Sequence, residues 1–183
     1  LPYKIRFSDC DPAGIVFYPQ YFVMFNDLLE AWVDSILEGG FAGYIGRAKF
    51  GMPIVHLEAD FTAVSQMGDD VYLELDVVRL GTKSFTLEYR CIGQNGDPRM
   101  KVQQTLVTTS LETHCSIPIP EELNVAIQYF LNASAQERSS ELSSPQAISS
   151  QGVSTQEPSS QEPTKTNELS SSNEGTQKQR STL

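Results

Sequence analysis

The order of two hydrophobic patterns limits the fold of this chain more than any other feature. Apolar residues first recur at steps of three and four over residues 20–38, which predicts a single long helix. The residues on its apolar face are Phe22, Phe25, Leu29, Trp32 and Ile36. Pro19 suits the first helical position, and Gly39-Gly40 suits the end. Beyond a glycine-containing loop, apolar and polar residues alternate, which predicts strands.

The alternating segments predict an antiparallel sheet. Strands are expected at residues 3–8, 54–64, 70–80, 84–93 and 99–112. The two-residue gap Gly81-Thr82 suits a tight hairpin. A short helix at about 120–131 begins with Pro120 and has acidic residues in its first turn, where the helix dipole favours them. This order is typical of an α+β fold in which the long helix covers one face of the sheet.

The predicted sheet is too wide for a single helix. Strands lie about 4.8 Å apart and a helix is about 10 Å across, so one helix cannot cover five strands. The uncovered area predicts a second copy of the chain. We therefore expect a homodimer or a homotetramer.

Composition divides the chain near residue 132. Residues 132–183 hold fourteen Ser and seven Gln, and the last aromatic residue is Phe130. Such a segment buries too little apolar surface to offset its ordering entropy. We therefore predict one domain over residues 1–131 and a disordered Ser/Gln-rich tail, without a catalytic role, over residues 132–183.

Charge and cysteine content exclude several classes of protein. The formal net charge is −10, and residues 1–131 hold 9 Lys and Arg against 17 Asp and Glu. This balance is unlike the basic stripe of a nucleic-acid-binding protein. No apolar run is long enough for a membrane span. The three cysteines and two histidines form no zinc-binding motif, and sparse thiols are typical of a reducing compartment. We expect a cytoplasmic protein without a metal or a separate cofactor.

Two carboxylates lie in the connection between the first strand and the long helix. Asp9 and Asp11 stand close to Pro12 and Gly14, and one interpretation is that both are turn residues that bind local backbone amides. The helix begins after Tyr18 without a Ser, Thr, Asn or Asp cap, so its first amides are free to bind another group. Such an amide end stabilises a thioester carbonyl oxygen as negative charge develops. A nearby carboxylate can attack that carbonyl or activate a water that does.

This segment resembles the opening of the 4-hydroxybenzoyl-CoA thioesterase family of hotdog-fold proteins. The matching residues are Asp9-Cys10-Asp11-Pro12-Ala13-Gly14-Ile15-Val16-Phe17-Tyr18-Pro19. Looser matches continue through residues 51–55 and 81–85, so the resemblance covers residues 1 to about 130. It implies a hotdog fold, in which an antiparallel sheet wraps around one long central helix. It also implies hydrolysis of an acyl-CoA thioester to a free acid and CoA, in a pocket between subunits.

The resemblance assigns roles to single residues. Asp11 matches the catalytic aspartate, acting as nucleophile or general base, and Asp9 matches its less critical neighbour. Tyr18 matches the residue whose backbone N–H polarises the thioester carbonyl. Lys83 and Ser84 lie where members of the family bind the CoA phosphates, a task that suits a Lys ammonium. CoA is here part of the substrate.

The acyl group stays open at this stage. The hydroxybenzoyl-specific enzyme resembles this chain but uses an acidic residue of the central helix to meet the ring hydroxyl, whereas the corresponding residue here is Asn26. Asn can hydrogen-bond a hydroxyl but supplies no charge, so aliphatic and other aromatic acyl groups are equally reasonable. We interpret His56 and His114 as structural residues. We expect Cys10 to be unreactive, because neighbouring carboxylates disfavour a thiolate.

Two other functions remain open. A hotdog hydratase acting on enoyl or hydroxyacyl thioesters usually pairs a histidine with a carboxylate, and the Asp-Pro-Ala-Gly segment contains no histidine. A non-catalytic acyl-CoA-binding or scaffold dimer would bind CoA saturably. Neither function releases free thiol, so a thiol-release assay separates both from a thioesterase.

Overall fold

The computed structural model describes residues 1–142, with side chains described up to Asn132. The elements in chain order are β1 (Pro2–Lys4), a 3₁₀ turn (Phe7–Asp9), α1 (Tyr18–Ile36), α2 (Gly40–Ala42), a π turn (Gly43–Arg47), β2 (Phe50–Gly51), β3 (Ile54–Phe61), β4 (Asp70–Leu80), β5 (Ser84–Gly93), β6 (Pro98–Val107), β7 (Thr109–Ser110) and α3 (Glu121–Leu142). The part of the predicted tail beyond residue 142 lies outside the described residues.

Five strands form one antiparallel sheet in the order β1-β4-β5-β6-β3, and β2 pairs separately with β7. Along β5, Phe85, Leu87 and Tyr89 are buried, whereas the residues between them are only half-buried on the other face. This alternation is that of a sheet with one face on the core. The predicted α+β layout is therefore confirmed.

Helix α1 packs on the buried face of the sheet, and the rings of Phe25 and Tyr89 are 5.2 Å apart. The buried residues of the helix are Tyr21, Met24, Phe25, Leu28, Leu29, Trp32 and Val33. This stripe is broader than predicted, and Phe22 and Ile36 are only partly buried at its edges. The helix also begins and ends two residues earlier than predicted, because Tyr18 rather than Pro19 takes the first helical position.

Helix α1 covers the edge strand β3 only in part. Phe61 of β3 lies opposite the buried Met100 of β6, so its side chain continues the core face of the sheet. Nevertheless Phe61 is 55% exposed and Leu57, on the same face, is 41% exposed. The sequence predicts that one helix cannot cover the whole apolar face of the sheet. In the structure, the uncovered part is this strand.

Two strands end earlier than predicted. The first strand ends at Lys4, because residues 7–9 form a 3₁₀ turn. Strand β3 ends at Phe61, because the next two amides both donate to the Arg99 carbonyl and do not continue the ladder. Both boundaries follow from local hydrogen bonds that the alternating pattern does not reveal.

The C-terminal half departs from prediction at two places. The strand expected over residues 99–112 divides at the buried Thr108, whose hydroxyl donates to the carbonyl of Ile117 at 2.8 Å. Helix α3 runs to Leu142, so the predicted start of the tail at residue 132 falls within a helix. Ala, Gln, Glu and Arg follow there, and these residues favour helix.

In the part of the chain described, no helix is both long and apolar enough to cross a membrane.

Candidate active site

The carboxylate of Asp9 is a structural part of the loop between β1 and α1. Asp9 is 3% exposed, and its Oδ2 accepts the Tyr3 hydroxyl at 3.1 Å and the Arg6 amide at 2.7 Å. Its carbonyl accepts the Phe17 amide at 2.9 Å, which fixes the residue before α1. Burial, together with the contact to Asp9, raises the pKa of Tyr3, so this hydroxyl stays protonated and able to donate. Asp9 therefore ties together both ends of the loop that contains Asp11.

Asp11 forms a turn with one carboxylate oxygen. Its Oδ1 accepts the Ala13 amide at 2.8 Å, and its carbonyl accepts the Gly14 amide at 2.9 Å. Gly14 has a φ of +79°, a conformation that glycine adopts at no steric cost. The interpretation of Asp11 as a turn residue is thus correct for Oδ1. For Oδ2, no donor is found within the described residues, so this oxygen is available to a substrate or water.

The N-terminus of α1 has the bare amide end that the sequence predicts. Phe17 takes the cap position without a side-chain hydrogen bond, and the first turn contains no acidic residue. Pro19 has no N–H, and the Gln20 amide donates to the Phe17 carbonyl at 2.8 Å. Among residues 1–142, no acceptor is found for the Tyr18 amide. This amide is therefore free to donate to a ligand at the positive end of the helix dipole.

Asp11 and Tyr18 line the same cavity, which has a volume of about 430 Å³. Its other lining residues are Ile15, Val16, Phe17, Tyr21, Phe61, Thr62, Ala63, Val64 and Ser65. The walls thus combine one carboxylate, one helix N-terminus and a set of aromatic rings. A volume of this size suits a small-molecule group rather than a macromolecular segment.

A buried pair of hydroxyls lies at this cavity. The Tyr21 hydroxyl donates to Ser65 Oγ at 2.9 Å, and both residues are at least nine-tenths buried. The Ser65 carbonyl accepts the Val16 amide at 2.9 Å, which joins the loop that contains Asp11 to the segment after β3. Sequence reasoning did not select residues 61–65, because they match no motif and their nearness to Asp11 arises only from the fold.

A family model of the thioesterase-like superfamily matches residues 5–127. The chain belongs to this superfamily. The matched range includes Asp11, all of α1 and the strands β3 to β6, and therefore every residue that lines the cavity.

Named relatives of this thioesterase-like chain act on aromatic CoA thioesters. The 1,4-dihydroxy-2-naphthoyl-CoA hydrolase of Synechococcus elongatus is 29% identical over 124 residues, which are 68% of this chain and 90% of that protein. The solved structure of BH1999 gentisyl-coenzyme A thioesterase is 28% identical, with a TM-score of 0.61 over 69% of this chain and 98% of that one. A 1,4-dihydroxy-2-naphthoyl-CoA thioesterase from Synechocystis shares the fold at 23% identity and a TM-score of 0.64, covering 69% and 93% of the two chains. The predicted hotdog fold is confirmed, and the prediction of a thioesterase is confirmed at the level of the superfamily.

The other residues predicted for the site do not line this cavity. Asn26 is exposed on α1 and donates to Glu30 Oε1 at 3.0 Å. Lys83 is exposed and donates to the Ser116 carbonyl at 3.3 Å, and Ser84 is the half-buried first residue of β5. Their contacts with the acyl group and with CoA stay predictions.

The cysteines and histidines behave as structural residues. Partial burial, and then the carboxylates on either side, raise the pKa of Cys10, which keeps it a thiol. Burial raises the pKa of Cys91 to about 11. His56 contacts Glu58 at 3.1 Å on the exposed strand β3, and His114 lies in an exposed turn. Within the described part of the chain, no group of three or more His, Cys, Asp or Glu residues is placed to hold a metal ion.

Proposed function

We propose that this chain hydrolyses an acyl-CoA thioester to a carboxylic acid and CoA in the manner of the 4-hydroxybenzoyl-CoA thioesterase family, with Asp11 as the catalytic carboxylate. One observation supports this most strongly. The Asp11 side chain and the uncapped start of α1 at Tyr18 line a single cavity. A carboxylate can attack a thioester carbonyl or activate a water, and a free amide at a helix N-terminus can stabilise the oxyanion that forms.

In the proposed reaction, the thioester carbonyl oxygen accepts the Tyr18 amide. Negative charge grows on that oxygen as the carbonyl carbon is attacked, and the helix dipole stabilises it in the transition state. Asp11 either attacks the carbon directly or removes a proton from the attacking water. The tetrahedral intermediate then expels the CoA thiolate. In the direct route, water hydrolyses the resulting mixed anhydride and regenerates the carboxylate.

We propose an aromatic acyl group that carries hydroxyls. The cavity wall is rich in rings, from Phe17, Tyr18, Tyr21 and Phe61, which suits a planar aromatic acyl group. The relatives are named for dihydroxynaphthoyl and gentisyl thioesters. Asn26 stays a candidate for binding an acyl hydroxyl from outside the cavity of a single chain.

We further propose that the working enzyme is a homodimer or a tetramer built from dimers, with the site at a subunit interface. Strand β3 is an edge strand of the sheet, and its core-facing side chains Leu57 and Phe61 are exposed in the single chain. Phe61 also lines the cavity, so a subunit that covers β3 would close the site on one side. Lys83 and Ser84 stay the proposed CoA contacts, because Lys83 has no carboxylate partner among the described residues and its charge is available to a phosphate.

The proposed function is tested by thiol release from a panel of CoA thioesters. The panel contains 1,4-dihydroxy-2-naphthoyl-CoA, gentisyl-CoA, 4-hydroxybenzoyl-CoA and aliphatic thioesters of short and long chain. We expect release of CoA, with the highest kcat/KM for a thioester whose acyl group is a hydroxylated aromatic ring. Saturable binding of these thioesters without thiol release would falsify the proposal and favour a scaffold. Faster hydrolysis of an aliphatic thioester would overturn the aromatic assignment alone.

A further inference from the structure

The cavity of Asp11 has two sides that come from distant parts of the sequence. One side is the loop before α1 together with the first turn of that helix, and it contains Asp11 and Tyr18. The other side includes residues 62–65, which follow strand β3. These four residues belong to no helix or strand, so no regular ladder of backbone hydrogen bonds fixes their position. Other contacts have to hold this segment against the cavity.

Arg99, the second residue of β6, holds residues 62–65 through both its backbone and its side chain. Its carbonyl accepts the amide of Thr62 at 2.9 Å and that of Ala63 at 3.1 Å. Its guanidinium Nη1 donates to the carbonyl of Val64. Three consecutive residues of the segment are thus bound to one residue, which does not itself line the cavity.

Two carboxylates fix the guanidinium of Arg99 in turn. Its Nε donates to Asp97 Oδ2, and its Nη1 also donates to Asp69 Oδ2 at 3.2 Å. The side chain of Arg99 is only 19% exposed. Asp69 Oδ2 accepts the amide of Gln66 at 2.9 Å as well, so the residue after the segment is joined to the same network. A planar guanidinium with five donors can hold two carboxylates and a carbonyl in one fixed arrangement.

The side of the cavity that contains Asp11 has contacts of its own. Asp9 binds both ends of the loop before α1, and Asp11 closes its turn on the Ala13 amide at 2.8 Å. Backbone hydrogen bonds join this loop to the segment after β3, but the local contacts of the loop do not depend on them. Loss of the Arg99 side-chain contacts should therefore displace residues 62–65 and leave Asp11 in place.

We propose that Arg99 is a positioning residue for the acyl group and acts through residues 62–65. This role rests on the proposed function, in which the acyl group of a CoA thioester occupies the cavity between this segment and Asp11. Arg99 sets the width of that space without contact with the substrate. A displaced segment weakens binding of the substrate and of the transition state alike, which raises KM and leaves kcat nearly unchanged.

The test is the steady-state hydrolysis by R99K of the CoA thioester that the wild type hydrolyses best. Lys keeps the positive charge at position 99, but a single ammonium cannot bind Asp97, Asp69 and the Val64 carbonyl in the same arrangement. We expect the KM of R99K to rise by about tenfold, as for the loss of one charge-assisted hydrogen bond. We expect its kcat to stay within about threefold of the wild-type value.

R90K is the matched control for a loss that is only structural. Arg90 also binds three carboxylates, and neither it nor its partners line the cavity of Asp11. R90K should therefore lower the Tm, as R99K does, but keep the KM of the wild type. A KM of R99K equal to that of R90K would overturn the role of Arg99, and so would a fall in kcat without a rise in KM.

Hydrogen exchange, followed by mass spectrometry, reports on the segment without any turnover. We expect exchange over residues 62–66 to be about tenfold faster in R99K than in the wild type, and unchanged in R90K. Unchanged exchange in R99K, or faster exchange with an unchanged KM, would overturn the role of Arg99 alone. A wild type that releases no CoA from any thioester would instead refute the proposed function, and this role with it.

Discussion

Asp9 and Asp11 are separated by one residue but have different surroundings. Asp9 is buried and accepts two hydrogen bonds on one oxygen, whereas Asp11 is half-exposed and uses only Oδ1 in a turn. A buried carboxylate with satisfied bonds contributes to stability, and an oxygen that faces a cavity is available for chemistry. Substitution of Asp9 should therefore lower the stability of the fold, whereas substitution of Asp11 should lower the rate of turnover.

We predict that D9A destabilises the fold. Ala has no acceptor for the Tyr3 hydroxyl or the Arg6 amide, so both groups lose their partner. The expected loss in the free energy of unfolding is about 1–3 kcal/mol for each unsatisfied group. Urea denaturation measures it, with D11N as the control that keeps its turn. An unfolding free energy for D9A equal to that of the wild type contradicts the structural role of Asp9.

We predict that the Tyr18 backbone amide, and not its side chain, is required for turnover. Phe17 has φ −63° and ψ 122°, the region that a residue before proline prefers, so Pro at position 18 fits the existing backbone. Y18P removes the amide hydrogen, and Y18A is its matched control. We expect kcat of Y18P to be about 10²- to 10³-fold below that of Y18A. Equal kcat values for the two variants would exclude this amide as the oxyanion donor.

At the residue scale, the sequence predicts groups that belong to a contiguous motif and misses those that the fold supplies. Asp11 and Tyr18 lie seven positions apart in the sequence, and in the structure both line one cavity, as expected. Ser65 and Phe61 join them only because β3 ends beside the loop. No spacing rule connects residues separated by some fifty positions, so these two could not be selected in advance.

Among the elements, the central strands are the best predicted. The bounds of β4 and β5 agree with the expected 70–80 and 84–93, since strict alternation and a tight turn define both ends. Boundaries set by single hydrogen bonds, such as the break at Thr108, are invisible to periodicity. The length of α3 is likewise underestimated, because composition alone marked its end.

A charge network on the outer face of the sheet joins β4 to β5 through Arg90, and β5 to β6 through Glu88 and Lys101. Burial raises the pKa of Glu88, but hydrogen bonds from Lys101, Gln103 and Arg90 outweigh it and lower the pKa overall. A carboxyl group whose pKa is lower in the folded than in the unfolded chain stabilises the fold at pH values above its unfolded pKa. This contribution is lost as the pH falls through the pKa of the folded state.

We predict that E88Q lowers the Tm at neutral pH, and that the difference from the wild type shrinks as the pH falls below the ordinary Glu range near 4.5. Glu58 provides the control, because its pair with His56 is largely exposed and E58Q should change the Tm little. Scanning calorimetry over a pH series measures both. A Tm difference for E88Q that is constant from neutral to acidic pH contradicts the account.

Among the described residues, strand β3 presents a strip of exposed apolar side chains. Helix α1 covers the centre of the sheet, and the exposed side chains of β3 continue the core face beyond it. An edge strand with an apolar face is a surface for association. The proposed assembly and the proposed active site therefore involve the same strand.

We predict that L57D converts the oligomer to a monomer and lowers kcat/KM, because a charge on this face opposes its burial. V125D is the control, since Val125 is exposed on α3 and does not line the cavity of Asp11. Sedimentation velocity measures the mass against the 20.3 kDa of one chain. A wild-type protein that sediments as a monomer with full activity contradicts a site at a subunit interface.

The most direct test of the whole account is the turnover of D11N with the best CoA thioester. Asn keeps an oxygen for the Ala13 amide, so the loop should retain its turn while the negative charge is lost. We predict that kcat falls by about 10²- to 10⁴-fold, with an unchanged Tm. Release of CoA by D11N at close to the wild-type rate would show that the carboxylate at position 11 does not perform the hydrolysis.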